Sequence, residues 1–215
     1  MNEQSTRQKI LTQALRLFSA YGYDSVSVGQ IARAVGIKAP SLYNHFTGKS
    51  AIFEAIIDET AQRYESFTSS LSVHVGNSAL DEGVFLNITA DELCRKVRQI
   101  FLYSLHDEAV SSLRRMLTIE QFRTPELSEL YTRRYVERLV DYHAGIFERL
   151  IKAGAIKDCD AGTLALMYTS PILLLVGICD RQPEREDECA KKLDDHVRLF
   201  FKTYNSQEAE DEQLK

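Results

Sequence analysis

Gly48-Lys49-Ser50 is where residue types and spacing first suggest chemistry. A glycine, an ammonium and a hydroxyl at the start of an apolar helical pattern are the residues that close a phosphate-cradling loop. A nucleotide loop needs a further glycine five positions before Gly48, and Tyr43 stands there. No β-branched strand leads into it either. Nucleotide hydrolysis is therefore set aside, and Lys49 is kept as a candidate partner for some other phosphate. The histidines, at 45, 74, 106, 143 and 196, offer no catalytic pattern. None follows a carboxylate by three residues, and none forms a His-Glu-x-x-His pair. The charges in His106-Asp107-Glu108 and Asp194-Asp195-His196 are adjacent, so on a helix they point in different directions. With no nucleophile elbow and no glycine-rich cofactor loop, the sequence predicts no enzyme, no cofactor and no metal.

Composition narrows the class. The 215 residues are 44% hydrophobic, with four prolines, ten glycines and long stretches rich in Leu, Ala, Glu, Lys and Arg. That is the composition of an all-helical chain. The net charge is −5, yet residues 1–49 carry six basic side chains against two acidic ones, a balance of +4. The remainder carries 20 against 29, a balance of −9. A basic head on an acidic body points to a polyanion that meets the head alone. Cys94, Cys159, Cys179 and Cys189 are scattered and read as ordinary reduced residues. The polar start argues against a secretory signal. The most apolar run, Leu164 to Cys179, falls short of the ~20 residues of a membrane span and contains Pro171. The expectation is a cytoplasmic protein with no membrane partner.

The elements that must position Lys49 follow from caps and periodicity. Ser5 with Gln8, and Ser27 with Gln30, are capping boxes. Ile10, Leu11, Ala14, Leu17, Phe18 and Tyr21 then recur at helical spacing, and Gly22 ends that helix. Val28, Ile31, Ala32 and Val35 stripe a short second helix stopped by Gly36. A short third helix carries Pro40 in its first turn and buries Leu42 and Phe46, and a long fourth begins near Lys49. Residues 68–88 read as a connector. Thr89 with Glu92 opens a helix to about 105, and another spans about 108–123. Thr124-Pro125 caps a long helix from Glu126 to Ala153, Asp160 opens one through Cys179, and Pro183 precedes the last. The acidic end, 206–215, reads as a frayed tail.

Ala32, Gly36 and Ile37 stand as a helix-turn-helix needs them. A small residue lets two helices cross, a glycine takes the positive φ of the turn, and an isoleucine plugs the gap. The helix after the turn would offer Ala39, Pro40, Tyr43 and Asn44 to a major groove. A bare packing hairpin is the alternative, which the basic charge and the exposed Tyr43 disfavour. Residues 5–57, including "ILTQALRLFSAYGYDSVSVGQIARAVGIKAPSLYNHFTGKSAIFEAII", resemble the DNA-binding domain of the tetracycline-repressor (TetR) family. The resemblance covers about a quarter of the chain. It implies an all-α homodimer whose helix-turn-helix head is joined by the fourth helix to a variable domain that binds a small molecule and tunes operator affinity. By position, Tyr43 and Lys49 match the family's phosphate contacts, Ser27 its backbone-contacting cap, and Ala39, Pro40 and Asn44 its base contacts. Ser41 belongs to the same face. Two positions depart from the pattern. Lys38 replaces the usual Ser or Thr cap and becomes a further phosphate candidate, and Gly29 stands where some members place a base-reading arginine. His45 reads either as a packed core histidine or as a phosphate partner.

The domain reading is thus a head at 1–50, a helical effector-binding and dimerisation body at 51–205, and the tail. Tyr64, Phe67, Phe101, Met116, Phe122, Tyr135 and Tyr168 are candidates to line an effector cavity between helices. The effector would be small and largely apolar, because the body has many aliphatic and aromatic residues and no cluster of cations. The segment "LALMYTSPILLLVGIC" is apolar nearly all round and requires a cover, most simply a second subunit. Ile172, Val176, His196, Leu199 and Phe200 are the candidates for that interface. The function expected is a dimeric repressor released by a small molecule from double-stranded, pseudo-palindromic operator DNA. A protein-interaction factor of the same fold, anchored on DNA and without an effector, is the alternative.

Overall fold

The computed structural model describes residues 5–123 and 125–206. Thr124 and the expected tail beyond residue 206 lie outside them. The described chain is all-α, without strands; its one β-type pairing is an isolated bridge between Ile156 and Asn205. The helices are α1 (Thr6–Tyr21), α2 (Val28–Val35), α3 (Ala39–Tyr43), α4 (Lys49–Ser70), α5 (Ser78–Leu86), α6 (Ala90–His106), α7 (Glu108–Glu120), α8 (Pro125–Tyr131), α9 (Arg138–Lys152), α10 (Ala161–Arg181) and α11 (Glu186–Tyr204). They form two compact units. The first is Met1–Tyr64 with Asp107–Tyr131, the second Glu65–His106 with Thr132–Lys215.

The first unit is built on the caps. The Ser5 hydroxyl accepts from Gln8 N–H and starts α1, but the Gln8 side chain turns instead to Glu59 at 2.5 Å. At α2 the capping box is complete: Ser27 accepts from Gln30 N–H, and the Gln30 amide accepts from Ser27 N–H at 2.7 Å. Such a cap is worth ~1 kcal/mol, a large share of what holds an eight-residue helix. Gly36 closes α2 with φ 80° and ψ 26°, a left-handed conformation that strains any residue with a Cβ. Ile37 N–H then reaches back to the Ala32 carbonyl at 3.0 Å, as the turn requires. Ile10, Leu11, Ala14, Leu15 and Phe18 of α1 are buried, with Ile31, Leu42, Phe46, Ile52, Phe53 and Ile56. Leu15 takes the place expected for Tyr21, which is 67% exposed. Tyr21 lies at the last turn of α1, beyond the packed stretch. α7 packs on α1 and brings Val110, Leu113, Met116 and Leu117 into the same unit.

The second unit packs α9 against α10 and α5, and α11 against α6 and α10. The segment expected as a connector contains α5, whose anchor is a charged residue. Asp81 is wholly buried. Its carboxylate accepts from His74 N–H at 2.6 Å, pairs with the His74 ring at 2.5 Å, and accepts from the Tyr142 hydroxyl. The single helix expected from Glu126 to Ala153 is instead three pieces, with Thr132–Glu137 wound as a π-helix between α8 and α9. No proline or glycine stands between 126 and 144, so no helix-breaking residue marks that change in the sequence. α10 runs 21 residues through Pro171, so it is long and apolar enough to cross a membrane, which corrects the length argument made from the shorter run. It packs on α6, α9 and α11. Three of the cysteines are buried and Cys159 is exposed, all with free thiols.

Candidate nucleic-acid interface and ligand cavity

The second helix of the helix-turn-helix is short and almost wholly presented to solvent. Only Leu42 of α3 is buried, while Tyr43 is 55% exposed and Pro40, Ser41 and Asn44 are exposed beside it. Ala39 is half-buried at the helix start. Pro40 costs nothing there, because the first N–H groups of a helix have no intrahelical acceptor. Lys38 occupies the N-cap position without capping, so its ammonium is free of the helix end. His45 is exposed, which resolves its two readings: it is not a core histidine. Ser27 is exposed, with its hydroxyl engaged by Gln30 in the capping box.

Lys49 is placed differently from a free phosphate seat. Its Nζ donates to the Tyr23 carbonyl at 2.9 Å and to the Asp24 carbonyl at 3.3 Å, and lies 4.3 Å from the centre of the Tyr23 ring. Both acceptors are neutral, so the charge is held in place but not cancelled. An ammonium has three donors, and two are used. The Tyr23 ring packs in turn on Phe53 of α4, with centroids 4.7 Å apart.

The second unit contains a partly open cavity of about 490 Å³. Its wall is mainly apolar, with Phe85, Val97, Ile146, Phe147, Leu150 and Phe200 among the lining residues, and Lys96, Tyr142, His143 and Tyr168 among the polar ones. The size lies in the range of small-molecule sites. Of the seven residues expected to line a cavity, Tyr168 does. Phe101 is buried in an adjoining cluster with Leu175, Cys179 and Leu193. Phe67 stacks on Tyr103, with centroids 3.9 Å apart. Tyr64 and Met116 belong to the first unit, and so does Phe122, which is 90% exposed. Tyr135 lies on the π-helix, half-buried. Aromatic type alone could not separate these environments. Phe85, Tyr142, His143, Phe147 and Tyr204 line the cavity and were not among the seven; for His143, an imidazole between apolar positions of one helix face was the available signal.

The expected interface residues also divide. Leu199 is exposed, whereas Phe200 is buried against Phe147, Tyr168 and Tyr204. His196 turns inward, with Nε2 2.9 Å from the Tyr168 carbonyl. Ile172 and Val176 are half-buried against the core. The exposed apolar row on α10 is formed by the neighbours Leu166 and Met167 with Leu174 about two turns on. Among the described residues, no group of three or more His, Cys, Asp or Glu side chains could hold a metal ion.

Comparison with known proteins agrees with this architecture. Residues 10–56 match the family described as bacterial regulatory proteins, tetR family, and residues 92–206 match the AefR-like transcriptional repressor C-terminal domain. The regulator AcrR of Shigella flexneri is 51% identical over 53 residues, 25% of each chain. The chain thus spans about a quarter of the length of the curated relatives it matches. Likeness over the whole length is to folds. The SmeT–triclosan complex, SmeT being a Stenotrophomonas maltophilia repressor, superposes with TM-score 0.68 and 19% identity, covering 94% of this chain and 93% of that one. NalD of Pseudomonas aeruginosa gives 0.63 and 23%, covering 94% and 96%. With the C-terminal match alone spanning more than half of its residues, the chain belongs to the TetR family of transcriptional regulators, DNA-binding proteins with a helix-turn-helix head.

Proposed function

We propose that the protein is a dimeric repressor that holds a pseudo-palindromic operator and releases it when a small, largely apolar molecule occupies the second unit. The observation that carries this reading is the cavity of about 490 Å³ in a chain that also presents an exposed reading helix. A DNA-anchored interaction factor has no need of a largely apolar cavity of small-molecule size, so the cavity favours the effector-gated reading over that alternative. SmeT binds triclosan, and SmeT and NalD each repress a multidrug efflux pump, which supports the same use of the fold here.

Ser27, Lys38 and Tyr43 would hold the phosphate backbone, with Lys49 giving its remaining donor. Ala39, Pro40, Ser41 and Asn44 would meet base edges, and exposed His45 would lie at the margin. Two heads on a two-fold dimer match half-sites ~34–36 Å apart. The cover for α10 would be α10 and α11 of a second copy, through Leu166, Met167, Leu174 and Leu199.

The test is reciprocal. Operator sequences are selected from random DNA, and small molecules that raise the melting temperature are titrated against the operator complex. An effector should weaken operator binding by the same factor by which operator weakens effector binding, 10–100-fold for a coupling of ~1.4–2.7 kcal/mol. Stabilising molecules that all leave operator affinity unchanged would reject the gated reading.

A further inference from the structure

The cavity wall contains one polar atom whose role its surroundings dictate. His143, on α9, lines the cavity, and its Nδ1 lies 2.8 Å from the Leu139 carbonyl oxygen. A carbonyl only accepts, so Nδ1 carries the hydrogen. Burial pushes the imidazole pKa down to about 4, so near neutrality the ring holds that one proton. Nε2 is then an unprotonated nitrogen with a lone pair. Among the described residues none donates to it. The rings of Tyr142, Phe147 and Tyr168 surround the imidazole, with centroids at 5.1, 6.2 and 4.9 Å.

Three of the other polar side chains of the wall are already engaged. The Tyr142 hydroxyl donates to the buried Asp81 carboxylate. The Lys96 ammonium donates to the Leu71 carbonyl at 2.5 Å, with Glu92 at 3.8 Å. The Tyr204 hydroxyl donates to the Met167 sulfur. A molecule entering the cavity therefore meets a largely apolar wall, the polar side chains of Asn87, Thr89, Tyr168 and Asn205, and at His143 an acceptor in want of a donor.

We propose that His143 is the polar anchor of this cavity and that it selects a neutral, largely apolar molecule carrying one hydroxyl or N–H. This rests on the cavity being the effector site. A ligand without a donor leaves Nε2 buried and unmatched, and a carboxylate sets its charge against that lone pair. Sites built to hydrogen-bond a ligand hydroxyl discriminate strongly against analogues lacking it, because the protein's own polar group is then left unpaired.

The experiment measures binding directly, without DNA. Full-length protein is equilibrated by dialysis with 2-naphthol, naphthalene and 2-naphthoate, which share one ring system and differ in donor and charge. Naphthol should bind at least ten-fold tighter than either of the others. His143→Phe should bring naphthol down to the affinity of naphthalene, and His143→Gln, whose amide restores an acceptor, should recover part of the preference. A ten-fold hydroxyl preference that survives in His143→Phe overturns the proposal, as does naphthoate binding best. If folded protein takes up none of the three, the effector-site reading falls with it. If the hydroxyl preference follows His143 but naphthol leaves operator affinity unchanged, the anchor stands and the release reading alone fails.

Discussion

The ammonium of Lys49 sits 2.9 Å from the Tyr23 carbonyl and 4.3 Å from the centre of the Tyr23 ring, tying the start of α4 to the loop between α1 and α2. The same charge that would meet a DNA phosphate thus also fixes the frame of the reading helix. Lys49→Met should therefore fail twice. Binding should weaken on every DNA sequence alike, with the salt slope reduced by about one unit. The unfolding free energy measured in urea should also drop, by the ~1 kcal/mol of the lost hydrogen bonds. Unchanged stability with reduced DNA affinity would leave Lys49 as a phosphate contact only.

Asn44 should behave otherwise. Exposed at the end of α3, it would pair with a base edge, adenine by preference. Asn44→Ala should cost ~1–3 kcal/mol at one base pair of the selected operator and relax the preference there. A uniform loss across sequences, measured on a panel of single-base variants, would make it a backbone contact instead.

Asp81 concentrates three donors on one buried carboxylate. Asp81→Asn turns an amide donor toward at least one of them and removes the charge, and should lower unfolding free energy by ~2–4 kcal/mol. Tyr142→Phe removes one donor and should cost ~1–2 kcal/mol. Denaturant unfolding of both variants, with the m-value unchanged, checks the order.

Because the folded pKa of His143 is depressed to about 4 from 6.5, the fold favours the neutral ring. Above pH 6.5 both folded and unfolded chains are neutral there, and the residue adds no pH dependence. As pH falls from 6.5 toward 4 the unfolded chain takes up the proton first, so stability falls, by about 3 kcal/mol at the lower end. The difference between wild type and His143→Phe, followed by urea unfolding from pH 7 to 4, isolates this contribution. Parallel curves would mean that the ring is open to water.

Leu174 is 60% exposed on α10, in row with Leu166. Leu174→Glu places a charge in the proposed two-fold interface and should shift the protein from dimer to monomer at micromolar concentration by light scattering. A dimer that persists with unchanged affinity would move the interface elsewhere.

Much of the first unit was legible because single residues punctuate it. Ser5, Ser27, Gly22 and Gly36 each cap a helix by chemistry that depends on few neighbours. The second unit was harder to read for physical reasons. Asp81 is a charge at a core position, so the hydrophobic pattern that should announce α5 is broken by its own anchor. The π-helix at Thr132–Glu137 has no helix-breaking residue to mark it and buries none of its residues, so no hydrophobic pattern announces it. Cavity wall and filled core draw on the same residue types, which is why Phe101 was read together with Tyr168 although only Tyr168 reaches the cavity.

The first unit is discontinuous in sequence, and that bears on how such a gene can be recombined. A crossover after Tyr64 would transfer α1–α3 and the start of α4 while leaving α7 and α8 behind. The face of α1 that α7 covers would then meet a foreign partner or water. Grafting this first unit onto another body therefore needs three junctions, at 64/65, 106/107 and 131/132. A single crossover thus breaks the packing of α1 on α7, whereas point substitutions within either unit leave it in place.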